Sequence, residues 1–327
     1  MRVRGYGVTD DWSRRRFLKG AVVIGGVALT PALLAGCEQA GFGNTLARIK
    51  ETGVVRVGFA GERPYAYDDN GLVGAIPAVH RAVFERIGGI QLEGVKTSFR
   101  NLIEGVNSGT FDVISAGMFV IPNRCAQVAF AEPTYCSPSG MMVRTGNPLG
   151  LSDYDSVVAS KATLAVLAGA AERRYALVSG VSEDRLNIVG SQEQGLEQVA
   201  EGEVDAFTLT NISLRTILAR ATQAEPSGPT GGIAAWAKRV ELVSPFIPVI
   251  DGKQQLGCGA AGFRLTDDSL LEAFNEALAA LHAEGKVLEL MRPYGFTVDE
   301  MPESGVTTEM LCSGPGRAIS GSDSLPR

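Results

Sequence analysis

"DVISAGMFVIPNRCAQVAFAEPTY", residues 112–135, is the stretch whose reading decides the fold. An apolar run stops at Pro122-Asn123-Arg124, and an aromatic residue, Phe119, stands just before the break. A buried strand that ends by presenting a phenyl ring and a guanidinium side by side calls for a sheet whose strand ends face a site. The neighbouring sequence supplies such a sheet. Val54 to Ala60 reads as a strand, Ile76 to Gly88 as an amphipathic helix, "IQLEGVKTS" as a strand, "FRNLIEGVNSG" as a helix and "FDVISAGMF" as the next strand. This βαβαβ rhythm predicts a mostly parallel sheet covered by helices.

The rhythm restarts downstream. Ala162 to Gly169 forms a strand that runs into the helix "AAERRYALVSG". "NIVGS", "QEQGLEQVAEG" and "VDAFTLTN" continue as strand, helix and strand, and "SLLEAFNEALAALHAEG" and "KVLELMRPYG" add two helices. Two α/β units without an alignable repeat predict two lobes, with joins expected in Gly140 to Pro148 and Ile247 to Phe263. The boundaries read as lobe one at 50–144, lobe two at 145–250, a return to lobe one at 251–300, and a C-terminal extension at 301–327. The composition of Ser313 to Arg327 predicts disorder there.

The N-terminus reads as an address. Ser13 to Gly20, "SRRRFLKG", carries a twin arginine ahead of the sixteen apolar or small residues Ala21 to Gly36. That run is shorter than the ~20 residues of a membrane span and contains Pro31. It has the form of a Tat-type signal peptide, residues 1–36, and "LLAGC" resembles a lipobox that would lipidate Cys37 and leave 37–49 as a tether. The expected location is extracytoplasmic, lipid-anchored to the outer face of the cell membrane. Cysteine usage agrees, since Cys125, Cys136, Cys258 and Cys312 remain after Cys37, an even number for an oxidising compartment. Three pairings are possible. The favoured one is Cys125–Cys136, a local loop, with Cys258–Cys312 pinning the C-terminal segment.

The whole chain has a net charge of −6, with 30 basic and 36 acidic residues. Loss of residues 1–36 takes six basic and two acidic groups, leaving −10. An acidic exported chain without a basic tract is unsuited to nucleic acid. "GCGAAG", Gly257 to Gly262, matches G-x-G-x-x-G, but "FRLTDDS" follows where a helix should begin, so it reads as a strand near a hinge. His80 and His282 lack metal-ligand spacing, and no nucleophile motif or cofactor motif is present.

"GTFDVISAGMFVIPNRCAQVAFAEPTY", with "GERPYAY", "RTGNPL", "EGEVDAF" and "GKVLELMRPYGF", resembles the extracytoplasmic solute-binding proteins of amino-acid-type ABC importers. The resemblance covers about residues 50 to 300. It implies an α/β, periplasmic-binding-protein-like fold of two α/β lobes joined by two hinge strands, closing over a small ligand. It also implies a monomer that delivers a small zwitterionic solute to an ABC permease and is not an enzyme. Ligands of open α/β sheets bind beyond the carboxyl ends of the strands, so Phe119 and Arg124 would face the interlobe cleft. The resemblance gives Arg124 the ligand's carboxylate, a task that suits the two parallel donors of a guanidinium.

Amino-acid binders of this family carry an aspartate shortly after the motif seen here as "GEVDAF"; Thr210 and Asn211 stand in its place. A carboxylate appears instead at Glu62, three residues before Tyr65, and Phe99 and Phe119 complete an aromatic set suited to a cation. This constellation resembles the ectoine/hydroxyectoine-binding members of the family, as do "NRC", "RTGNPLGL", "CGAAGFR" and a late "LC". By that resemblance Glu62 would bond the cyclic amidinium. Tyr65, Phe99 and Phe119 would cage it, and Gly169, Ala170 and Ala171 would add backbone donors at a helix start, with Asn211 nearby. Where many relatives have a hydroxyl, this helix start has Ala170-Ala171. Two other readings stand beside this one: a polar or cationic amino-acid binder with Glu62 as amine partner, and a cyclohexadienyl-dehydratase-like lyase with Glu62 as general acid. A sensory ligand-binding module is a further possibility, without a signalling domain after residue 300.

Overall fold

The computed structural model describes residues 44–223, 236–250 and 252–313. The signal-like segment 1–36, Cys37 and the stretch after 313 lie outside the described residues. Helix α1 (Thr45–Thr52) leads into strand β1 (Val54–Phe59), whose alternating apolar residues bury Val55 and Val57 completely. A small hairpin, β2 (Tyr67–Asp68) and β3 (Leu72–Val73), precedes helix α2 (Ala75–Gly88) and strand β4 (Gln91–Lys96). Helix α3 (Leu102–Asn107), strand β5 (Val113–Ile114), helix α4 (Pro122–Cys125) and strand β6 (Ala129–Phe130) complete the outward passage. The first lobe's sheet has the order β4-β1-β5, then a strand that arrives from the far end of the chain, then β6.

The second lobe begins after β7 (Tyr135–Ser137). Strand β8 (Ser139–Arg144) is followed by α5 (Tyr154–Ser160), β9 (Leu164–Leu167), α6 (Ala171–Val178), β10 (Leu186–Val189) and α7 (Gln192–Glu201). Then come β11 (Ala206–Thr210), α8 (Asn211–Gln223) and β12 (Val240–Leu242). These strands form a second five-stranded sheet, β10-β9-β11-β8-β12, parallel at β10, β9 and β11 and antiparallel at β8 and β12. The chain returns through the hairpin β13 (Val249–Ile250) and β14 (Lys253–Gln254), then β15 (Gly257–Gly259) and β16 (Gly262–Phe263). Strand β16 lies antiparallel between β5 and β6 and so closes the first sheet. Helices α9 (Asp268–Ala283) and α10 (Lys286–Met291) pack with α2 on lobe one, and α11 (Thr308–Cys312) ends the described chain.

Lobe one's core is aromatic. Phe274 on α9 meets Phe84, Phe263 and His80 edge-on, with centroids 5.8, 5.2 and 5.1 Å away. Each buried phenylalanine ring, removed from water, contributes about 1.5–3 kcal/mol. His80 is fully buried, and burial pulls its imidazole down to about 3, so it packs as a neutral ring. Arg264 beside β16 is also buried. It bonds the carbonyls of Val106 and Phe111 at 3.0 Å and pairs with Asp112 and Asp267, which satisfies the charges together.

Four expectations are corrected. Residues 45–49 are not tether: Ile49 is buried in α1, and Thr45 Oγ1 donates to Asp267 across 222 residues of sequence. The segment 140–148 is not a join, because β8 lies inside the second sheet. Its run of buried Gly140 to Val143 is what a strand covered on both faces requires. The strand read over 111–119 is only β5, with Phe119 making a single bridge to Gly259. The disulfides are Cys125–Cys312 and Cys136–Cys258, not the favoured pairing. Strands β7 and β15 pair antiparallel with Cys136 directly opposite Cys258, and α11 packs on α4, carrying Cys312 to Cys125. Proximity along the chain did not decide the pairing; the register of the two linking strands did.

Candidate functional site

The break at Pro122 is a helix start. Proline at the first position of α4 has no N–H to leave unpaired, and its fixed φ begins the turn. One turn later the buried Arg124 points back beneath Phe119. Its Nη1 donates to the Phe119 carbonyl at 2.8 Å, and its Nη2 crosses to lobe two and donates to the Gly169 carbonyl at 2.9 Å. Phe99 lies beside it, 5.6 Å from guanidinium carbon to ring centroid. The side chain that ends the opening stretch therefore joins the lobes.

Glu62, Phe99, Gly117, Phe119 and Arg124 of lobe one meet Leu167, Ala170, Ala171, Glu172, Leu209 and Thr210 of lobe two around one cavity. The free space is about 10 Å³, roughly one water. Lobe two contributes the carboxyl ends of β9 and β11 and the start of α6. Of the residues singled out in the sequence, Glu62, Phe99, Phe119, Arg124, Ala170 and Ala171 line the cavity; Tyr65, Gly169 and Asn211 do not.

Tyr65 sits one layer behind. Its ring packs on Tyr135 at 5.0 Å and Phe296 at 6.0 Å, under Gly117, where a Cβ would fall 2.4 Å from that ring. Its hydroxyl donates to Thr210 Oγ1 at 2.8 Å, and Thr210 bonds Ser213, so Tyr65 fastens lobe one to the end of β11. Two rings, not three, face the cavity. Gly169 adopts φ +82° and turns its carbonyl to Arg124, while the Ala170 N–H is taken by Leu167. The donor row expected from Gly169 to Ala171 is thereby reduced. Asn211 opens α8 with its N–H on the Pro138 carbonyl, and its buried Oδ1 has no hydrogen-bond partner among the described residues.

The residue missed in the sequence is Glu172. It is buried, and burial, opposed by its own backbone N–H and by Arg124, pushes its carboxyl up to about 7. Burial and the neighbouring Glu172 also raise Glu62 well above the usual carboxylate range, with Arg124 opposing. Two carboxyls and one guanidinium thus share a water-poor cleft, and each buried charge depends on the others. An acid in a helix's first turn is common surface chemistry. Its place just past a lobe-two strand end was the signal that pointed inward.

Two α/β lobes, two linking strands and a polar cleft between strand ends define a two-lobed solute-binding protein. Residues 55–297 match the bacterial extracellular solute-binding proteins, family 3, and the chain belongs to that family. It is 32% identical over 299 residues to a probable amino-acid ABC transporter periplasmic-binding protein, y4tE, of Sinorhizobium fredii, covering 89% of this chain and 93% of that one. Among solved structures it is similar to EhuB in complex with hydroxyectoine, with a TM-score of 0.71 at 30% identity, covering 83% of this chain and 99% of that one. An ancestral arginine-binding protein bound to arginine shares the fold, with a TM-score of 0.61 at 19% identity over 75% of this chain and 99% of that one. The chain is thus a solute-binding protein of an amino-acid-type ABC importer, extracytoplasmic, with a binding and not a catalytic role.

Proposed function

We propose that this protein captures ectoine or hydroxyectoine in the interlobe cleft and hands it to an ABC permease, held to the membrane by a lipid on Cys37. The observation that carries the reading is the convergence of Glu62, Phe99, Phe119 and Arg124 on one cavity lined by both lobes, whose free space of about 10 Å³ must widen by lobe or side-chain movement to admit a solute. Arg124 suits the solute's carboxylate, and the two ring faces suit its delocalised amidinium. Glu62 and Glu172 supply acceptors for the N–H groups. The likeness to the hydroxyectoine-bound EhuB supports the same solute class.

Glu172 favours a second reading, a cationic amino acid. It places a carboxyl in lobe two, which the sequence around Thr210 lacks, and so offers the ammonium partner that an α-amino acid needs. Calorimetric titration with ectoine, hydroxyectoine, arginine, glutamine, glutamate and glycine betaine separates the two. Tight binding of the ectoines alone supports the first reading, and binding of arginine alone replaces it with the second.

A further inference from the structure

A second and larger concavity lies outside the cleft, and its chemistry is of opposite sign. Its volume is about 650 Å³, in the range of small-molecule sites. Arg63, Arg220 and Arg292 line it together with Tyr67, Thr216 and Tyr294. Arg63 follows Glu62 directly in the chain, and its guanidinium stacks 3.7 Å above the Tyr67 ring. Arg220 comes from α8 of lobe two. Arg292 and Tyr294 come from the turn after α10, on lobe one.

Three arginine side chains line this concavity, and no described acidic residue does. Among the described residues, none of the three donates a side-chain hydrogen bond or reaches a carboxylate within ion-pair distance; Asp69 and Glu193 act on Arg63 only from further away. Burial and the charge of Arg220 both work against the charge on Arg63. The chain as a whole is acidic, with a net charge of −6. A local cationic bowl on an acidic protein focuses anions at that one place. Guanidinium forks match phosphate and carboxylate oxygens in pairs.

The bowl also spans the moving parts. Thr216, Ile217, Ala219 and Arg220 come from α8 of lobe two and the other lining residues from lobe one. The lobes touch at its floor, where a Cβ on Gly295 would fall 2.6 Å from Thr216. The neighbouring backbone of Arg63 is bonded across the lobes as well, giving and receiving a 3.0 Å hydrogen bond with Gln192 of α7. An anion bridging Arg63, Arg220 and Arg292 therefore meets all three only when the lobes are together.

We propose that this bowl binds a small polyanion, phosphate- or carboxylate-bearing, and that its occupancy favours the closed protein and so tightens solute capture in the cleft. The inference is independent of which solute the cleft takes. By linkage, the anion raises solute affinity by the same factor by which solute raises anion affinity, typically about 5–150-fold.

The test is titration of the full-length protein with pyrophosphate and, separately, citrate at low ionic strength, where screening is weakest. Each is compared with Arg220→Gln and Arg292→Gln, both exposed substitutions outside the cleft. Binding of either anion by the wild type, weakened about tenfold or more in both variants, is expected. Pyrophosphate alone identifies a phosphate site, citrate alone a carboxylate site, and both a general polyanion site. Absence of binding by the wild type, or equal binding by the variants, overturns the site. Solute affinity is then measured with and without saturating anion; an unchanged value overturns the coupling. The anion arm needs no solute, so a wrong solute assignment and a wrong anion site fail separately.

Discussion

Arg124 concentrates the chemistry of the cleft in one side chain. It is buried, it touches both lobes, and it stands between two carboxyls. Arg124→Ala should weaken solute binding by about 2–5 kcal/mol, the scale for stripping one partner from a buried charge pair. Calorimetry measures it, and wild-type affinity in the variant would remove Arg124 from the site. Glu172 makes a pH prediction. Its carboxyl holds a proton up to about pH 7 in the solute-free cleft, and a cationic solute group beside it favours the carboxylate. Binding should then release protons below pH 7, and affinity should climb as pH rises to about 7 and level off above. Glu172→Gln should flatten that climb. Titration in buffers of different ionisation enthalpy reads the protons directly, and a climb that persists in the variant would point to Glu62 alone.

At the scale of elements, helix α4 is too short to hold itself. A single turn orders several dihedrals for very few hydrogen bonds. The Cys125–Cys312 disulfide ties it to α11, so the C-terminal segment braces the helix that carries Arg124. Replacing both cysteines by serine should cost about 2–5 kcal/mol of stability and weaken solute binding as well. Urea unfolding and calorimetry on the same sample check both effects; an unchanged midpoint would show that α11 braces nothing. The linking strands show how glycine serves aromatic packing. A Cβ on Gly257 would fall 2.0 Å from the Phe119 ring and one on Gly259 2.2 Å from the Tyr135 ring. "GCGAAG", which mimics a nucleotide loop in sequence, is a strand kept bare so that rings can lie on it.

For the whole molecule the decisive quantity is closure. The lobes meet through Tyr65–Thr210, Arg124–Gly169 and Arg63–Gln192, and by a close backbone approach. That approach is at Gly169, where φ is +82° and a Cβ would fall 2.8 Å from Arg100 Cα in the opposite lobe. Gly169→Ala should bias the protein open and lower solute affinity about tenfold, since the left-handed backbone alone costs about 1–2 kcal/mol with a side chain. Small-angle scattering with and without solute reads the opening. A variant that closes and binds as the wild type would show that the approach is not limiting.

The chain by itself determined what is local and periodic. The 3.6-residue and strand-like patterns placed the longer elements, among them β1, α2, β4, β9, α7, β11 and α9, because each amphipathic or buried segment must find a core. They did not place α1, α4, α5 or α8, nor the short strands β2, β3, β6 and β12. The order of motifs from Gly61 to Phe296 pointed to two lobes and a cleft. The apolar run and its break at Pro122 pointed to Phe119 and Arg124 at its mouth, where both stand, although β5 itself ends at Ile114. What only the tertiary structure decided depends on register and on facing surfaces. Cys136 and Cys258 are 122 residues apart and meet only because β7 and β15 pair in one register. Tyr65 reads as a cage wall, yet the glycine at 117 draws its ring beneath the site and leaves its hydroxyl to latch the lobes. Glu172 reads as a helix-start acid, and the packing of lobe two against lobe one turns it into a buried partner of Arg124 and Glu62. Local sequence sets each segment's conformation; which faces meet is a property of two lobes brought together, and the site belongs to that meeting.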